Sequence, residues 1–384
     1  MKKIWISLTI AGLLLLTLGW WCAVPAHAEE DDMTHTFAEE SGSADVTDSL
    51  DWDVQSVLDR LGLSVSDPTK IAEAFTLSTV WDVLGEYISE YVERPFQMLA
   101  GLLTVIIFAA LLQGLHSGNM RNGTEQVFEF LCALAAVGIL AEPLCQSFTA
   151  VENALNQGAE FMLVFVPVFA GILAAGGTAG SAVCYQTAVI ALADGVMQVI
   201  TRVLLPFCTM GFALAIVDAV SPSVSVSGLL TLSKKVTTWV LGLFMSIFLG
   251  VLSMQNWITG SVDTAATKTT KYVISNFVPV VGSAVSDAYT AVRSSLQILR
   301  STTGVIGIAA ICILFLPPLV QLLLYRGVVA IGTAAAELFG TQRLLRLLRG
   351  TQQVLAIAFA LLVCFGVMFV VATAIAMTLG KGNA

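Results

Sequence analysis

Apolar residues fall along the chain in blocks of membrane-crossing length, and polar residues gather between them. Such blocks are readable at 96–115, 127–144, 161–177, 182–201, 203–220, 236–255, 304–325 and 354–378. A run of about 18 or more apolar residues, coiled as a helix, crosses a hydrocarbon layer of about 30 Å. The pattern predicts an all-α polytopic helical membrane protein with about eight transmembrane helices. Only Arg202 separates the fourth and fifth blocks, so 182–220 is alternatively one long helix broken near Pro206, which leaves seven. Gly176, Gly177 and Gly180 predict a tight turn or a close helix contact between the third and fourth blocks. Pro317 and Pro318 remove two donors and predict a kink or an end in the seventh.

Before the first block, the pattern is that of an exported protein. Lys2 and Lys3 precede the apolar stretch 4–18, and Ala26-His27-Ala28 supplies small residues for cleavage. Residues 1–28 are thus predicted to be a cleavable signal peptide, with an uncleaved first span as the alternative. Either way residues 29–95 face away from the cytoplasm. Residues 29–50 are acidic and Ser-rich and predict disorder. Beyond them Val54, Val57, Leu58 and Leu61, then Val80, Val83, Leu84, Tyr87, Ile88 and Tyr91, recur at helical spacing. Two short amphipathic helices are predicted, with Pro68 suited to opening the second.

Charge sharpens this division. The net charge of -9 belongs to residues 29–95, which hold 17 of the 27 acidic residues and only Arg60, Lys70 and Arg94 as positive charges. A basic footprint for nucleic acid is absent, so no nucleic-acid partner is expected. Over the whole chain 57% of residues are hydrophobic and 12% charged, half the share of an ordinary soluble domain at about 25%. Cys22 falls in the signal peptide. The remaining six cysteines lie in or beside apolar runs without CxxC spacing and read as packing residues.

With residues 29–95 exported, eight spans place Arg121, Lys234-Lys235 and Arg343, Arg346 and Arg349 inside, as the positive-inside rule prefers. Residues 256–303 land outside despite Lys268, Lys271, Arg293 and Arg300, which counts against the arrangement. The chain then divides into a first span cluster at 96–255, an extracytoplasmic or re-entrant segment at 256–303, and C-terminal spans at 304–384. Within the last, 334–350 sets Leu338, Leu345 and Leu348 against Arg343, Arg346 and Arg349. That reads as a basic amphipathic helix on an anionic leaflet, or as a partner-binding helix.

No catalytic constellation is present: the mature chain has His35 and His116 alone, and lacks P-loop, GxSxG and HExxH patterns. No enzyme activity, cofactor or metal is expected. Asp194, Arg202 and Asp218 stand out as charge within or beside apolar runs, where an ionisable group costs about 2.5–3.5 kcal/mol on insertion scales. They read either as a polar site for an ion or proton, or as span-end residues near the headgroups. Gly242, Ser246 and Gly250 form a small-residue ladder that lets helices approach closely, within the chain or in a homo-oligomer. In 256–303, the apolar piece 272–285 is interrupted by Asn276, Pro279 and Gly282, which suits a re-entrant segment or a surface-lying helix pair.

This last stretch resembles a known signature. Lys268-Thr-Thr-Lys271-Tyr272, then Asn276-Phe277-Val278-Pro279-Val280-Val281-Gly282, then Ser286-Asp287-Ala288, is similar to the central motif of the stage III sporulation protein AE family. The order of segments around it agrees, down to the Gly382-Asn383 tail. Lys271, Tyr272, Pro279, Gly282 and Asp287 are the positions that match. The resemblance implies a multi-pass subunit of a multiprotein complex in the mother-cell membrane that surrounds the forespore. That complex is expected to meet a forespore partner and to act as a channel or secretion-like conduit after engulfment. Partners would be other membrane subunits of the stage III complex and the lipid bilayer. No catalytic residues are implied. An independent secondary transporter centred on Asp194 is the competing reading, and a membrane enzyme the least supported.

Overall fold

The computed structural model describes residues 91–116, 122–220, 227–277 and 282–378, together with Gly85 and Ser89. The predicted signal peptide 1–28, most of the acidic segment with its two predicted amphipathic helices, and Pro279 lie outside the described residues. Those described are helical throughout, with no strand: α1 Glu93–His116, α2 Asn122–Ala175, α3 Ala179–Val199, a π turn Ile200–Leu204, α4 Leu205–Val220, α5 Ser227–Phe277, α6 Gly282–Leu338 and α7 Gln342–Thr378.

Six helices are long and apolar enough to cross a membrane, counting α3, the π turn and α4 as one. The eight predicted spans are corrected at two places. Blocks 127–144 and 161–177 belong to one helix, α2. Window-averaged polarity suggests a loop at 145–160, but its polar residues share one helix face. The opposite face buries Phe148, Val151, Ala154 and Leu155, so helical periodicity runs on without a break. Blocks 182–201 and 203–220 also form one helix, through the π turn that contains Arg202. Pro206 lacks the N–H that would bond back into the preceding turn, and one turn of i→i+5 bonding, Leu205 N–H to the Ile200 carbonyl, accommodates the break. Pro317 and Pro318 do not end α6.

Two tight turns join antiparallel neighbours by the same device. Gly177 (φ 85°) and Gly340 (φ 72°) take the left-handed conformation that glycine tolerates best. Each is followed by a buried threonine. Thr178 N–H and Oγ1–H donate to the Leu173 carbonyl at 3.2 and 2.7 Å. Thr341 does the same to the Ala336 carbonyl at 3.1 and 3.3 Å. The second turn divides 334–350 between the end of α6 and the start of α7, so the single amphipathic helix predicted there is replaced by two helix ends.

Helix contacts fix the register of the bundle. A Cβ at Gly366 of α7 would stand 3.2 Å from Phe315 of α6, and one at Gly304 would stand 2.6 Å from Met377. A Cβ at Gly158 of α2 would meet Phe315 at 2.8 Å and Phe365 at 3.3 Å. Phe161, Phe165 and Phe169 of α2 form a ring column with Phe369 of α7 and Tyr185 of α3, at centroid spacings of 5.3 to 5.8 Å. A Cβ at Gly350 would stand 2.5 Å from Ala215 of α4, and one at Gly211 3.0 Å from Val354.

The α1–α2 hairpin is staggered against this column. Arg94 Nη1 donates to Gln146 Oε1 at 2.9 Å, and Gln113 Nε2 to Glu129 Oε1 at 3.0 Å. α1 therefore pairs with only the first part of α2, and the rest of α2 runs on for roughly 43 Å at 1.5 Å per residue. Leu102, midway along α1, sits near Gly332 of α6, which also faces Leu348. The apolar run of α1 thus lies beside the basic start of α7, not beside its apolar run 354–378.

Candidate functional site

A polar junction ties four helices together where α1 ends and α7 begins. Arg343, 8% exposed, donates from Nε to Glu129 Oε2 at 2.9 Å and from Nη1 to the Val220 carbonyl at 3.3 Å. Glu129 in turn accepts from Gln113. The planar guanidinium holds the end of α4 and the flank of α2 at once, a fork geometry that lysine lacks. The sequence reading put Arg343 on a leaflet surface with Arg346 and Arg349. Only the last two face outward, Arg349 bonding Glu337 of α6 at 2.5 Å. Arg343 instead shares its side of α7 with buried Leu344, Leu347 and Leu348.

A second arginine closes the far end. Arg300 of α6 is buried and donates from Nη2 to the Ala376 carbonyl in the last turn of α7, where helix carbonyls lack intrahelical partners. Between the two ends, Arg326 of α6 lies 5.8 Å from the centroid of the Phe359 ring of α7, within cation–π range. Neither contact was anticipated from the sequence. A lone arginine in an apolar run gives a signal for burial but not for its partner.

Asp194, Arg202 and Asp218 are not brought together. Asp194 is exposed and accepts from Gln198 Nε2 at 2.9 Å, and Arg202 is exposed within the π turn. Asp218, 5% exposed, lies in the last turn of α4 beside the junction, roughly 36 Å of helix from Asp194. Asp194 and Arg202 face outward at the depth of the chain's most apolar part, between Tyr185 at the ring column and Gly211 at Val354.

The ladder of Gly242, Ser246 and Gly250 also faces outward. A Cβ at Gly242 or Gly250 would meet nothing within 4 Å, so no described helix of this chain packs on it. Trp239, Leu243, Ile247 and Met254 are exposed on the same helix.

The signature residues cluster at the connection between α5 and α6. Lys271 and Tyr272 lie in the final turns of α5, Gly282 opens α6 and Asp287 follows in its second turn. From Gly282 to Arg300, which stands at the end of α7, α6 runs roughly 27 Å. Helix runs up to Phe277 and resumes at Gly282, and the interruption expected at 278–281, with Pro279, lies outside the described residues. Among the described residues, no group of three or more His, Cys, Asp and Glu side chains is placed to hold a metal.

Together these features describe a helical protein with six helices long and apolar enough to cross a membrane, in which buried arginines tie helix ends together. The sequence matches the family described as Stage III sporulation protein AE over residues 65–380, and the chain belongs to that family. It is 23% identical over 298 residues to the Stage III sporulation protein AE of Bacillus subtilis (strain 168), covering 78% of this chain and 75% of that protein. No solved structure matches.

Proposed function

We propose that this chain is a membrane subunit of the sporulation channel, a secretion-like complex that links mother cell and forespore after engulfment. The carrying observation is the family match over residues 65–380, supported by six helices of membrane-crossing length. The protein resides in the mother-cell membrane around the forespore, behind a cleaved signal peptide, and works with the other stage III membrane subunits. It performs no catalysis and takes no cofactor. Outward-facing Asp194, Arg202 and the α5 ladder speak for assembly with neighbours. A self-contained transporter would enclose its charged site between its own helices.

The test is a functional fluorescent fusion in sporulating cells of the source organism, combined with pull-down from detergent extracts. Signal on the membrane around engulfed forespores, with the other stage III subunits co-purifying, is the expected result. Uniform signal over the cell membrane with no co-purifying subunit sinks the proposal.

A further inference from the structure

We draw no further inference here: the strongest candidate, the outward face of α5 with Gly242, Ser246 and Gly250 beside exposed Trp239, Leu243 and Ile247, is an unpartnered apolar face, and nothing in the structure shows what covers it.

Discussion

Arg343 and Glu129 lie 214 positions apart in the chain and meet at 2.9 Å, joining the start of α7 to the first turns of α2. Half-buried ion pairs are costly to break on one side only, because the remaining charge stays without its partner. Arg343→Ala should lower stability in detergent by about 1.5–3 kcal/mol, as expected for a hydrogen bond to a charged group. The paired change Arg343→Leu with Glu129→Leu should recover most of that loss. Thermal unfolding of the purified variants checks both, and equal losses in the single and paired variants would contradict the pairing.

The two glycine–threonine turns give a second test. Gly177→Ala and Gly340→Ala force a side chain into the left-handed region and should each cost about 1–2 kcal/mol. Gly327→Ala, in mid-helix with nothing within 4 Å of its Cβ, should be neutral or stabilising by up to about 1 kcal/mol. The same melting assay reads all three.

Two kinds of glycine are distinguishable by substitution. Gly158→Leu places bulk against Phe315 and Phe365 and should abolish stable insertion. Gly242→Leu and Gly250→Leu add bulk on an open outward face and should leave the chain folded. Self-association, measured by crosslinking in membranes, should fall for the second pair if that ladder is where copies meet. Unchanged crosslinking would leave the ladder as a lipid-facing surface.

Six helices keep Lys234-Lys235, the α5–α6 connection and Arg346 on the sides that eight gave them, because two pairs of predicted spans merged; the Gly177 turn between the two merged pairs changes side. Lys234-Lys235 and Arg346 should face the cytoplasm, and the α5–α6 connection the exported side. Single cysteines at 235, 280 and 346 in intact cells, treated with an impermeant thiol reagent, should be labelled at 280 alone. Labelling at 235 or 346 would contradict this orientation. N-terminal sequencing should find Glu29 first, and a retained Met1 would mean that the first apolar run stays in the protein.

The helical class and the membrane were legible in the hydropathy of the chain, since runs such as 354–378 admit no other solution in lipid. The helix count was not, because a window average merges the two faces of 145–160 and reports only their mean polarity. Period-3.6 placement of Val151, Ala154 and Leu155 against Glu152, Asn153 and Asn156 carries the correct answer. The turn at Gly176-Gly177 was readable because glycine marks a local backbone need. Arg343 and Arg300 were misread or missed because burial of an arginine depends on a partner far away in sequence. Glu129 and the Ala376 carbonyl announce themselves only in three dimensions.

The signature at the α5–α6 connection is the place to probe function without touching the bundle. Gly282→Leu, at the opening of α6, should leave the protein inserted but unable to co-purify with its complex. Immunoblots of membranes and pull-downs separate the two effects, and normal co-purification would assign the signature a role other than assembly.

Deletion of the gene, scored by heat-resistant spore counts, tests the central claim most directly. A subunit of the stage III complex predicts a fall of several orders of magnitude in spore yield, arrest after engulfment and unchanged vegetative growth. A deletion strain that sporulates at the parental yield would contradict the account.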